Sequence, residues 1–250
     1  MEIFHDQKPN KLIKTYKLGI HSGKGGVGKT FISVNVAYSL AKLGYKVGLL
    51  DADIDCPNVS KFLGLTGIAM KNGTSIQPVL HNNVKIISTS LLNPGSENPI
   101  IIRGPIKHNM LVSFLNSVDW GELDYLIIDL PPGTADVPLS AMQLSALNSI
   151  ILVSTPTKEA ILDTARASNM AKKLNITILG LIENMSGEIF GNYGEQTAKK
   201  LEVPYLGSIL LSKETAQINE SGNIAFLENP TLHKLRDSLI SKIKQASTKS

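Results

Sequence analysis

The chain has 250 residues, with 25 Lys+Arg against 21 Asp+Glu for a formal charge of +4, 42% hydrophobic and 18% charged residues, and one cysteine. That composition supplies one sizeable core and excludes a largely disordered chain, while a single cysteine excludes an internal disulfide framework and a metal site built from several thiolates of one chain. The positive excess lies at the ends (Lys8, Lys11, Lys14 and Lys17; Lys234, Arg236, Lys242, Lys244 and Lys249), so the body, 18–230, is slightly acidic and offers no basic groove for nucleic acid.

Residues 1–17 have no apolar run that would mark a targeting segment and read as a basic, solvated lead-in to a single domain over 18–250. Short apolar runs follow at Lys17–His21, Lys46–Leu50, Val84–Ser88, Tyr125–Leu130, Ser149–Ser154, Thr177–Ile182 and Pro204–Ile209. They are apolar on successive residues, as strands covered on both faces are. Helical patterns fill 29–43, 105–117, 136–146, 157–174, 194–202, 212–221 and 231–246, and Gly44 predicts a left-handed end to the first. The alternation predicts an α/β fold: a doubly wound, mostly parallel sheet with helices on both faces and its ligand at the carboxyl ends of the strands.

The first strand runs into Gly23-Lys24-Gly25-Gly26-Val27-Gly28-Lys29-Thr30 and then a helix, the GxxxxGK[ST] phosphate loop in its required context. Its backbone N–H groups and the helix N-terminus suit phosphate, Lys29 the β- and γ-phosphates, and the Thr30 hydroxyl Mg²⁺. Lys24 follows the first glycine. It is either a solvated loop charge or a cation that crosses a dimer interface to the partner's ATP.

The second strand ends in Asp51, with Asp53 and Asp55 at alternate positions, which in an extended segment would share one side. Three such carboxylates suit a nearby Mg²⁺-nucleotide. The fourth run, Tyr125-Leu126-Ile127-Ile128-Asp129, ends in the Walker B acid, and Pro131-Pro132-Gly133-Thr134 makes a stiff turn able to sense a γ-phosphate. Asp53 is assigned to the attacking water and, indirectly, the metal; Asp129 to the metal; Asp51 to support of Lys29. A charge-free stretch over 137–157 is broken by Pro138, Gln143, Asn148 and Pro156, so it reads as helix, turn and strand in series and not as a membrane span. The chain reads as soluble and cytoplasmic. Leu232, Leu235, Leu239, Ile240 and Ile243 recur at helical spacing near the end, either as a packed stripe or as a basic amphipathic membrane-surface helix.

GKGGVGKT resembles the deviant P-loop ATPases, the group of MinD, ParA and the arsenite-pump ATPase. DADIDCPN, the long stretch IRGPIKHNMLVSFLNSVDWGELDYLIIDLPPGTADVPLS and ENMSG resemble the Mrp family of iron–sulfur cluster carrier ATPases in particular. The resemblance implies an ATP-dependent, Mg²⁺-dependent homodimer that delivers iron–sulfur clusters to apoproteins or works with a scaffold partner. It implies a nucleotide site of Gly23, Lys24, Gly25, Gly26, Val27, Gly28, Lys29, Thr30, Phe31, Asp51, Pro131 and Asn184. Thr30, Asp53 and Asp129 then serve the metal, Lys24, Lys29 and Asp53 act in catalysis, and Asn184 reaches adenine. The sequence departs from the family in one place: Asn184-Met185-Ser186-Gly187 passes to Glu188-Ile189-Phe190-Gly191 without the CPxCG segment that holds the bridging cluster. Cys56 reads as a buried or bystander thiol, with a redox-sensitive or cluster-contacting role as the alternative, and the five histidines show no ligand spacing. A slow ATPase in iron–sulfur cluster assembly is the first reading, and a MinD/ParA-like positioning ATPase on a membrane or protein partner is the alternative.

Overall fold

The computed structural model describes residues 12–73, 75–92, 104–189, 191–220 and 223–249. In chain order these form β1 (Tyr16–His21), α1 (Lys29–Lys42), β2 (Val47–Asp51), α2 (Val59–Phe62), β3 (Lys71–Asn72), β4 (Ser75–Ile76), β5 (Val79–His81), β6 (Val84–Ile87), α3 (Gly104–Asn116), β7 (Tyr125–Asp129) and α4 (Asp136–Ser145). Then come β8 (Ser149–Ser154), α5 (Lys158–Lys173), β9 (Thr177–Ser186), α6 (Gly194–Leu201), β10 (Tyr205–Leu210), α7 (Lys213–Glu220), α8 (Ala225–Glu228) and α9 (His233–Ser247). Residues 1–11, the greater part of the proposed lead-in, lie outside the described residues. Its remainder joins the body earlier than its lysines suggest: Leu12 and Thr15 are buried, and the Thr15 hydroxyl donates to the Leu123 carbonyl at 3.0 Å.

The main sheet has the order β10-β9-β8-β1-β7-β2-β6-β5 and is parallel throughout except for β5, which runs against β6. Every residue of β2, β7 and β8 is buried. Both faces of the sheet centre are therefore covered by helices, which explains the unbroken apolar runs. The seven expected strands all form. Sequence patterning misses β3, β4 and β5 because each has only two or three residues. The Thr177 strand also runs on to Ser186, carrying the ENMSG residues inside it.

Helix α1 is buried on almost every side, from Phe31 to Leu40 without a break, since it touches the sheet on one side and α2, α8 and α9 on others. It ends as expected, with Gly44 at φ 89° donating its N–H to the Ala41 carbonyl at 3.0 Å. In α9 the residues Leu239, Ile240 and Ile243 are buried, and the helix packs on α1, β9 and β10. Of the two readings of that stripe, the packed one is the arrangement seen. Among the described residues no helix is long and apolar enough to cross a membrane.

The strands β1, β2 and β7 deliver three loops to one edge. Parallel pairing fixes them in register, with Ile20 opposite Asp129 and Asp51 opposite Asp129.

Candidate nucleotide site

The loop from Ser22 to Gly28 wraps over the start of α1. Gly28 sits at φ 92°, ψ 28° as the residue before the helix, and a Cβ there would lie 2.1 Å from Asn184 Nδ2. A Cβ on Gly23 would lie 2.1 Å from the Asp163 backbone of α5. These glycines thus serve close approach as well as backbone bending. No side chain caps α1 and its first turn holds no acid, so its leading N–H groups and dipole face the loop's interior. That is the donor arrangement a phosphate requires.

Beneath the loop, Asp129 is buried and accepts two hydroxyls, Thr30 Oγ1 on Oδ2 at 2.6 Å and Ser33 Oγ on Oδ1 at 2.9 Å. Burial raises its carboxyl above the usual range, and Lys29, Thr30 and Ser33 oppose that rise. Lys29 is itself buried, and its charge also bears on Asp53 and His21. Ser33 was not among the expected residues. Its spacing of three from Thr30 on one helix face is the signal that could have found it.

The neighbouring acid, Asp51, does not reach for Lys29. Its Oδ2 accepts the amides of Asn58 (3.0 Å) and Val59 (3.1 Å) and the Ser88 hydroxyl (3.1 Å), while Oδ1 accepts the Asp53 amide at 3.2 Å. It therefore organises the segment between β2 and α2. Burial first, then the charge of Asp129, push its carboxyl up against the pull of the Val59 amide.

Because β2 stops at Asp51, the three acids do not share an extended face; the chain turns back on Asp51 instead. Asp53 accepts the Cys56 amide at 3.2 Å, and burial raises its carboxyl while Cys56, Lys29 and Lys107 draw it down. Asp55 pairs with Lys107 of α3 at 2.5 Å. Cys56 is exposed, which excludes the buried reading and leaves the bystander one; it lies in the turn before α2, which begins only at Val59.

Three further elements close the site. The Gly133 amide donates to the Ser22 carbonyl at 3.0 Å, which places the Pro131–Thr134 turn against the phosphate loop. The Asn184 amide donates to the Val27 carbonyl at 2.9 Å, so the residue expected at adenine here braces the loop. Lys24 lies against its own chain, 3.4 Å from the hydroxyl of Thr157, which also caps α5 through the Ala160 amide at 3.3 Å. The missing CPxCG segment is replaced by a tight return in which Gly187 and Gly191 exchange backbone hydrogen bonds of 3.0 and 2.7 Å. Phe190 lies outside the described residues.

The Thr30–Asp129 contact offers a donor set suited to Mg²⁺. A hydroxyl and a buried carboxylate that already meet are hard oxygen ligands of the kind Mg²⁺ takes from protein, leaving its other positions to phosphate and water. Among the described residues no cluster of three or more His, Cys, Asp or Glu could hold a metal alone.

His21, read in the sequence only as the end of the first strand and as a histidine without ligand spacing, has a distinctive setting. It is fully buried at the end of β1, near the Pro131 and Gly133 backbone, with neither ring nitrogen in a well-formed hydrogen bond. Burial first, then the Lys29 charge, lower its pKa to about 3 from 6.5. The unfolded imidazole takes a proton as pH falls through 6.5 and the folded one does not, so stability present above 6.5 is lost toward 3. Urea unfolding at pH 7.5 and pH 5 should show wild type losing about 2 kcal/mol more than His21→Gln between the two conditions. Equal losses would mean that His21 charges freely in the folded protein.

The NUBPL iron-transfer P-loop NTPase family, of the ParA group, matches residues 14–246. An iron–sulfur cluster carrier protein of Saccharolobus solfataricus is 40% identical over 229 residues, covering 86% of this chain and 77% of the relative. One from Methanocaldococcus jannaschii is 42% identical over 221 residues, covering 83% and 76%. Among solved structures, a nucleotide-binding protein from Archaeoglobus fulgidus in complex with ADP superposes with a TM-score of 0.72 at 31% identity, over 87% of this chain and 91% of that one. The septum site-determining protein MinD of Pyrococcus horikoshii, complexed with Mg-ADP, gives 0.73 at 25% identity over 94% and 99%. With a family match over nearly its whole length and a phosphate loop, Walker B acid and switch turns converging on one edge of a parallel sheet, the chain belongs to the NUBPL-type iron-transfer P-loop NTPases.

Proposed function

We propose that this protein is a slow, Mg²⁺-dependent ATPase that works as a homodimer in iron–sulfur cluster assembly or transfer. The observation that carries the nucleotide reading is the Asp129 carboxylate held by Thr30 and Ser33 beneath an uncapped helix N-terminus. The cluster context rests on the relatives, two of which are the archaeal carriers at 40% and 42% identity.

In this reading residues 18–250 act as one domain. Gly23–Phe31 cradle the phosphates, with Lys29 on the β- and γ-oxygens; Asp51 shapes the switch segment, Pro131 the sensing turn, and Asn184 turns from Val27 to adenine. Thr30, Asp53 and Asp129 hold the metal, directly or through water, and bound Mg²⁺ supplies charge neutralisation at the phosphates. Asp53 orients the attacking water, and its oxygen attacks the γ-phosphorus as the β–γ bridging bond breaks, giving ADP and phosphate. Lys24 leaves Thr157 to reach the nucleotide of the partner subunit.

A resident [4Fe–4S] cluster takes four thiolates. With one cysteine per chain, a pair of copies offers two, and the residues do not fit such a cluster. The proposed contribution is therefore the nucleotide-driven step, with cluster ligands supplied by a partner. A MinD-like membrane role has less support, because the apolar stripe of α9 is buried.

Two measurements test this. Asp53→Asn should retain ATP binding while turnover falls at least about 100-fold; turnover at the wild-type rate would remove Asp53 from the reaction. Anaerobic treatment of the purified chain with iron and sulfide should leave no stable cluster absorbance. A stable cluster that disappears in Cys56→Ser would show that the lone thiol suffices.

A further inference from the structure

The acid that ends β2 and the two that follow it are engaged differently. Asp51 is occupied by three backbone amides and the Ser88 hydroxyl. Asp55 takes the ammonium of Lys107, whose side chain is only 21% exposed and lies in the first turn of α3. Asp53, between them, accepts the Cys56 amide and, among the described residues, no side-chain donor. Its flanking carboxylates are both occupied by protein partners, whereas among the described residues Asp53 takes only that one amide.

We propose that Lys107 is a positioning residue for ATP hydrolysis: by pairing with Asp55 it pins the Asp53–Asn58 segment to α3 and holds Asp53 for the attacking water. The proposal rests on the reading of this chain as an ATPase. Nothing in the phosphate-loop motif or the Walker B acid assigns a role to Lys107, and an unattached lysine near the start of a helix is ordinarily solvated.

The surroundings argue against a mere surface pair. The Lys107 side chain is largely covered, and α3 packs on α4, which begins at Asp136, just beyond the Pro131–Thr134 turn. Lys107 thus connects the segment after β2 to the helix pair that carries the turn after β7. The segment is also held from the other side, by the Thr89 hydroxyl on the Ile54 carbonyl at 3.4 Å. The ion pair completes a clamp that would otherwise be one-sided.

Steady-state ATP hydrolysis by the full chain, with Mg-ATP as the varied substrate, tests this on Lys107→Met, Lys107→Arg, Asp55→Asn and the Lys107→Met/Asp55→Asn double variant. In Lys107→Met, kcat should fall on the order of tenfold with KM within about twofold, because the loss is of aim and not of nucleotide binding. Lys107→Arg should recover kcat to within about threefold, since a guanidinium can reach the same carboxylate. Asp55→Asn should fall similarly, and the double variant no further than either single one. Wild-type kcat in Lys107→Met, additive losses in the double variant, or a loss that appears in KM and is not recovered by arginine would each overturn the proposal. If Lys107→Met does not fold, wild-type kcat in Asp55→Asn overturns it equally. A wild type that hydrolyses no ATP sinks the underlying ATPase reading too, and is told apart because the variants then have no activity to lose.

Discussion

Two carboxylates, Asp51 and Asp129, end adjacent parallel strands in register and are buried side by side. Like charges placed directly opposite repel, and burial adds a desolvation cost. The surroundings of the site are largely what offsets that cost. Asp129 draws the first turn of α1 down through Thr30 and Ser33; Asp51 draws in the start of α2 and the Ser88 region. Lys29 supplies a buried cation whose charge bears on Asp129. The same donors that make the pair tolerable fix the loop, the switch segment and the helix start relative to one another, so the electrostatic problem and the binding site have one solution.

This arrangement separates what the family shares from what this chain lacks. The nucleotide edge depends on β1, β2 and β7, whose last residues, His21, Asp51 and Asp129, are all buried. The cluster-binding segment of the family's pattern lies elsewhere, after β9, where a return closed by Gly187 and Gly191 now stands. The nucleotide edge and that return are built from different elements, as the proposed division between a nucleotide-driven step and partner-held cluster ligands requires.

Most of the architecture was legible because buried parallel strands leave continuous apolar runs and because the phosphate loop has a fixed spacing. The short edge strands β3, β4 and β5 were not, since two or three residues carry no periodicity. The site was legible in its residues and less so in their partners. Asp51 could be recognised as a strand-end acid, but its engagement with the amides of Asn58 and Val59 depends on a turn that alternate acids do not announce. Cys56 lies in that same turn, which is why a residue type that is usually packed is exposed. Lys107 and His21 gave no signal at all: one finds its carboxylate 52 residues away in sequence, and the other is an apolar-strand position filled by an imidazole. In both cases the chemistry comes from what the fold brings next to the side chain.

The central claim is that Asp129, held by Thr30 and Ser33, is where metal and nucleotide meet. Calorimetric titration of ATP into wild type and Asp129→Asn, each in Mg²⁺ and in EDTA, tests it most directly. Wild type should gain at least about tenfold in affinity from Mg²⁺, and the variant should bind ATP equally in both. A variant that keeps the full Mg²⁺ gain would contradict the account.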